Sequence, residues 1–159
     1  MKHCGVDLGK KGGIVILEDG NVIVCMPMPV IKSSKKSDEY DIDRIVDIFL
    51  RHLPDYTYIE KSLLLPVSGK KSYQQSGFVE GGFQFMLATL KLRYDVITPK
   101  RWQKNIFEGM NKKDTKQASI MFAKRTHPEV SWIAEKSTKY HDGLTDALCI
   151  AEYCKRQNQ

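Results

Sequence analysis

Two carboxylates, Asp142 and Asp146, stand four residues apart in HDGLTDALCIAEY, residues 141 to 153. Ala147, Leu148, Ile150, Ala151 and Tyr153 give that stretch the apolar face of a buried helix. Residues four apart share a helix face, so the two acids point the same way and repel unless a positive partner meets them. Two further acids sit where apolar strands should be uninterrupted. Asp7 lies between Val6 and Leu8, and Glu60 closes the run YTYIE. A carboxylate inside an apolar strand is costly unless it is paired or binds a cation. If the strands carrying Asp7 and Glu60 are neighbours, and the last helix packs across them, four carboxylates converge with no matching basic residue in their motifs. Oxygen donors of this kind suit Mg²⁺ or Mn²⁺, and two such ions about 4 Å apart stabilise both the attacking and the leaving oxygen of phosphodiester hydrolysis. Singly, each acid has a plainer reading: Asp142 as a favourable acid at a helix N-terminus, Asp7 as the cap of a Gly-rich turn.

The elements that must position these acids follow from periodicity. Residues 3 to 8 and 13 to 17 are apolar and rich in β-branched side chains, joined by a Gly-Lys-Lys-Gly turn, and Glu-Asp-Gly-Asn leads into VIVCM. They predict three antiparallel strands in a meander. Pro27 to Tyr40 reads as a mobile loop. Asp41 to Leu53 predicts an amphipathic helix with Ile42, Ile45, Val46, Phe49 and Leu50 inward, stopped before Pro54. A strand at residues 56 to 60 and a long helix from Ser72 to Leu92 follow. Gly77, Gly81 and Gly82 cost that helix stability, which implies that something packs very close to it. Residues 94 to 98 form the fifth strand. Thr98 and Pro99 open a short helix, and helices over residues 114 to 126 and 141 to 155 complete the order β-β-β-α-β-α-β-α-α. The expected class is α/β: a five-stranded mixed sheet, strands 1 to 3 antiparallel and the last two parallel, flanked by helices.

At 159 residues and 42% hydrophobic content, one domain spanning residues 1 to 159 is expected. No run of about eighteen apolar residues exists, and Asp7 interrupts the N-terminal apolar stretch, so neither a membrane span nor a signal peptide is expected and the location should be cytoplasmic. Cys4, Cys25, Cys149 and Cys154 show no C-x-x-C spacing and read as reduced, buried thiols. The net charge of +6, with pI about 9.1, tilts the partner towards a polyanion, most often nucleic acid.

GVDLGKKGGIVILEDG, YIEKS and HDGLTDALCIAEY, in this order and at these separations, resemble the RuvC-type Holliday junction resolvases of the RNase H-like nuclease superfamily, most of all the compact bacteriophage-encoded forms. SYQQSGFVEGGFQFMLATL is similar to that family's Gly-containing helix, and VITPKRWQKNIF to its Pro and Trp segment, so the resemblance covers nearly the whole chain. It implies an RNase H-like fold and a homodimer that cuts four-way DNA junctions symmetrically with two Mg²⁺ per active site, Mn²⁺ substituting. Hydrolysis would leave 5′-phosphate and 3′-hydroxyl ends. Carried over position by position, it nominates Asp7, Glu60 and Asp146 as catalytic metal ligands, Asp7 bridging the ions, with Asp142 as the fourth. Two departures stand out. The last two acids are four apart where bacterial members often have three, which leaves His141 open as an alternative ligand or proton carrier, beside its plainer reading as a helix-entry residue. Leu63 stands where those members carry an aromatic wedge, and an aliphatic wedge is physically possible.

Candidate DNA contacts flank the acids: Lys61 directly after Glu60; Lys70, Lys71 and Ser72 in SGKKSYQQS; Lys100, Arg101 and Lys104 in PKRWQK; Lys112, Lys113 and Lys116 in NKKDTK. Lysines and free N-H groups at a helix start contact phosphates, although each residue singly reads as solvated surface. Trp102 and Phe107 read as core or interface. The Gly77, Gly81 and Gly82 face suits either close packing on the protein's own sheet or a subunit interface, and the resemblance favours the interface. Rival functions are a general branched-DNA or RNA/DNA hybrid nuclease, a non-catalytic junction-binding protein, and an actin-like or sugar-kinase ATPase suggested by DLGKKGG. The last needs two domains and a second phosphate motif, so no nucleotide cofactor is expected.

Overall fold

The computed structural model describes residues 1–34, 38–62, 69–110, 114–133 and 138–159, the side chains of residues 71 and 72 excepted. The predicted meander is β1 (Lys2–Asp7), β2 (Gly13–Glu18) and β3 (Asn21–Pro27). β6 (Tyr56–Glu60) and β7 (Arg93–Ile97) extend it to a five-stranded sheet in the order β3-β2-β1-β6-β7. β1 pairs antiparallel with β2 and parallel with β6, and β7 continues parallel to β6. The mixed sheet expected from the sequence is therefore present, and it places the strands of Asp7 and Glu60 side by side.

Between β3 and β6 lies a segment that differs from expectation. Within Pro27 to Tyr40, read above as loop, β4 (Val30–Ile31) and β5 (Glu39–Tyr40) form a small antiparallel ladder. Its two rungs are too short to leave a periodic signature. α1 (Ile42–His52) is capped by Asp41, whose side chain accepts from the Arg44 N-H, and ends on Leu53 in the left-handed region. Its buried face is Ile45, Ile48 and Phe49, whereas Ile42 and Leu50 remain exposed. α1 is thus rotated from the face predicted by counting apolar residues.

Strand alternation sends successive side chains to opposite sides of the sheet, and each side has its own core. On one side Cys4, Val6, Ile14, Ile16 and Ile59 pack with α1 and with Val79, Phe83 and Leu87 of α2 (Lys70–Thr89). On the other, Val15, Leu17, Tyr58 and Ile97 pack under α3 (Pro99–Ile106), α4 (Thr115–Thr126) and α5 (Asp142–Gln157). α5 lies against β1 with no clearance: a Cβ on Gly5 would fall 2.2 Å from the Ala147 carbonyl oxygen. The glycines of α2 behave in the opposite way. Among the described residues a Cβ on Gly77, Gly81 or Gly82 would meet nothing within 4 Å, so the close contact expected there is not made by any of them. Val79, Phe83 and Leu87 already provide the packed face, and the glycines lie off it beside exposed Phe78 and Phe85.

Candidate active site

Period-two alternation decides where the strand acids point. Cys4 and Val6 face α1 and α2, so Gly5 and Asp7 face α5. Tyr58 belongs to the α5 side and Ile59 to the other, so Glu60 also faces α5. Parallel pairing of Val6 with Ile59 makes Asp7 and Glu60 next neighbours across two strands. The first turns of α5 lie over this corner. Gly143 seats the helix on the β1–β2 turn, where a Cβ at that position would come within 2.2 Å of the Lys11 carbonyl oxygen. Close seating fixes the height of Asp142 and Asp146 above the strand ends.

Each inner acid has one oxygen fixed by a donor. The Gly9 N-H donates to Asp7 at 3.2 Å, the Trp102 indole N-H to Glu60 at 2.7 Å, and the Ser119 hydroxyl to Asp146 at 2.5 Å. Asp142 lies further out, 44% exposed, and pairs with the Lys116 ammonium at 2.9 Å. His141 caps α5, its Nδ1 accepting the Leu144 N-H at 3.2 Å. That is the helix-entry role, and it commits one ring nitrogen to the backbone.

Electrostatics tie the inner three together. Burial pushes the Glu60 carboxyl up to about 7; the Trp102 hydrogen bond opposes this, and the charges of Asp7 and Asp146 add to it. Burial likewise pushes Asp146 up to about 6, against the Ser119 bond and with help from Asp7 and Asp142. Asp7 is raised by burial and lowered by the Gly9 N-H and by His141. Among the described residues, no three Asp, Glu, His or Cys side chains close into a ready-made ion cage. The carboxylates stand within electrostatic reach of one another without touching. Their donor chemistry fits a hard divalent cation: oxygen alone, from half-buried acids whose ionisation is costly until a positive charge compensates it.

The proposed DNA contacts are less concentrated. Lys61 is exposed at the end of β6, its backbone N-H bonded to the Ile97 carbonyl. Lys70 opens α2, exposed, and residues 71 and 72 continue that helix. Lys100, Arg101 and Lys104 are exposed on α3, although Arg101 is held by the Tyr153 hydroxyl at 3.1 Å. Lys116 points at Asp142. Leu63, Lys112 and Lys113 lie outside the described residues. Trp102, read from the sequence as core or interface, is 1% exposed, yet its N-H reaches Glu60. Its sequence signal was only an aromatic on a short helix. Ser119, inside a helix with no motif around it, gave no signal.

No family model matches the chain, and no curated protein matches it. Solved structures do. Thermus thermophilus RuvC in complex with a Holliday junction substrate superposes with a TM-score of 0.64 at 13% identity, over 99% of this chain and 96% of that one. The yeast mitochondrial Holliday junction resolvase Ydc2 gives 0.61 at 14% identity, over 96% and 77%. Fowlpox virus resolvase in complex with Holliday junction DNA gives 0.56 at 16% identity, over 100% of both chains. The chain therefore has the RNase H-like fold of these proteins. No helix among the described residues is long and apolar enough to cross a membrane.

Proposed function

We propose that this chain is a divalent-metal-dependent endodeoxyribonuclease that resolves four-way DNA junctions, acting in the cytoplasm as a homodimer of one nuclease domain spanning residues 1 to 159. The observation that carries the reading is the neighbouring pair Asp7 and Glu60 on adjacent parallel strands, facing Asp146 on α5, in a fold shared with proteins solved on Holliday junction DNA. Asp7, Glu60 and Asp146 would hold Mg²⁺ or Mn²⁺, with Asp142 at the rim. Bound there, the metal supplies Lewis-acid stabilisation of the phosphate and a more acidic water.

The chain's own residues do the rest. Glu60 and Asp146 hold protons tightly, so proton and cation compete for the same oxygens and cleavage should rise as pH passes through about 6 to 7. Lys116 offsets the charge of Asp142 where a phosphate approaches. Exposed Lys61 directly follows Glu60, and exposed Lys100 and Lys104 lie on α3, the helix whose Trp102 reaches Glu60; with exposed Lys70 they serve as phosphate contacts that position DNA without reading its sequence. On the opposite side of the sheet, an apolar groove of about 100 Å³ runs between α1 and α2 with exposed Ile42 and Phe78 in its lining, and Leu50 and Phe85 are also exposed on these two helices. Exposed apolar side chains beside an apolar groove suit a protein partner, and a second copy of the chain is the partner assigned to this face.

The test is a synthetic immobile four-way junction beside a linear duplex made from its strands, each with Mg²⁺ or Mn²⁺, using the protein and Asp7→Asn. Paired symmetric nicks in the junction alone, absent from the variant while junction binding persists, are expected. Equal cutting of forks and flaps would make the protein a general branched-DNA nuclease. Cutting retained by Asp7→Asn would overturn the metal assignment.

A further inference from the structure

The three inner acids share an arrangement that points beyond the ligand set. Each has one carboxylate oxygen tied to a fixed donor: the backbone N-H of Gly9, the indole N-H of Trp102 and the hydroxyl of Ser119. Two of these donors come from elements that carry none of the acids. Trp102 lies on α3 and Ser119 on α4, separated from their carboxylates by 42 and 27 positions. Both donors are themselves buried and packed in place. Trp102 is 1% exposed and stacked edge-on against Phe107, with ring centroids 5.4 Å apart. Ser119 is fully buried, and its hydroxyl also lies 3.1 Å from the Thr115 carbonyl oxygen.

A carboxylate oxygen that accepts a bond from a fixed donor has one lone pair committed and its direction set, so the other oxygen is the better ligand. Binding through a single oxygen is then favoured, because swinging to chelate through both would break the donor's bond. Mg²⁺ demands near-ideal octahedral geometry and is served by single-oxygen contacts; Ca²⁺ accepts more oxygens, in looser geometry and with two-oxygen carboxylate contacts. Donors outside the ligand set that orient metal-binding side chains typically change metal affinity about 10- to 100-fold when removed.

We propose that Trp102 and Ser119 are positioning residues that hold Glu60 and Asp146 in single-oxygen presentation, and that this selects Mg²⁺ over Ca²⁺. The inference rests on the metal-dependent reading above and extends it to residues of α3 and α4. Removing either donor frees the second oxygen and widens the geometries the carboxylate can adopt. A smaller, stricter cation loses by this and a larger, more permissive one does not.

Calorimetric titration with MgCl₂ and with CaCl₂ tests it on the full chain, Trp102→Phe, Ser119→Ala and Asp7→Asn, each checked by thermal unfolding without metal. Trp102→Phe keeps an aromatic ring but no N-H, and Ser119→Ala is a small change at a buried site. The expected result is Mg²⁺ affinity lower by about 10-fold or more in both donor variants, with Ca²⁺ affinity unchanged or higher, so that the Mg²⁺/Ca²⁺ preference falls. A lower melting temperature with an unchanged preference would assign Trp102 and Ser119 to packing alone and overturn the inference, while Asp7-dependent metal binding in the wild type would still stand. Absence of any Asp7-dependent binding in the wild type would instead remove the metal centre itself, and the inference with it.

Discussion

Metal-free protein should lose stability as pH rises from about 5 to about 8, and Glu60 sets the size of the loss. Its carboxyl, ordinarily near 4.5, is pushed up to about 7, chiefly by burial. A group that holds its proton more tightly when folded stabilises the fold fully below its unfolded pKa, and that stabilisation disappears as pH climbs through the folded value. At about 1.4 kcal/mol per tenfold change in proton affinity, the difference is about 3 kcal/mol. Asp146, raised to about 6, acts in the same direction, but because the two acids repel each other their contributions overlap and do not simply add. For a chain of this length about 1 kcal/mol moves the melting temperature by about 2–4 °C, so about 3 kcal/mol corresponds to about 6–12 °C. Thermal melts in EDTA across the pH window, wild type against Glu60→Gln, isolate the effect, since groups common to both cancel. The wild type should fall relative to the variant by that amount, and saturating Mg²⁺ should restore it at the alkaline end by binding the folded state alone. Parallel melting curves for the two proteins across the window would refute the argument that ionised Glu60 is held at a cost.

The seat of α5 gives a second prediction: Gly5→Ala should destabilise by about 3 kcal/mol or more, read by urea unfolding, because the added methyl meets the backbone of Ala147 and Ala151 and not a side chain that can turn aside. Wild-type stability in that variant would show that α5 can lift from β1 without penalty. On the other face, Phe78→Glu combined with Phe85→Glu should convert a dimer to a monomer in sedimentation velocity and turn paired junction cuts into single nicks. Unchanged sedimentation would move the subunit contact elsewhere.

Strand acids are legible in a sequence because an acid among apolar residues breaks a simple alternation, and Asp7 and Glu60 do so in short, clearly bounded runs. Asp142 and Asp146 are legible through helical spacing. Their donors are not. Trp102 and Ser119 reach their acids only after the chain has folded across 42 and 27 positions, and neither residue type at its place breaks any local rule. The α2 glycines show the converse. Their helix cost is visible in the sequence, but whether the space beside them is filled depends on which helix face meets the sheet, and Val79, Phe83 and Leu87 take that face. The buried face of α1 escapes an apolar count for a related reason: the count includes Ile42 and Leu50, which the fold leaves outside.

The sheet separates two cores that, among the described residues, share no buried side chain. The acids and their donors belong to one, and the exposed aromatic patch to the other. Substitutions that reshape the patch therefore need not travel through the packing that holds Asp7, Glu60 and Asp146. Such a chain is free to exchange its associate while keeping its chemistry, and a designer could graft a different contact surface onto α1 and α2, treating the α5 side as a fixed cartridge.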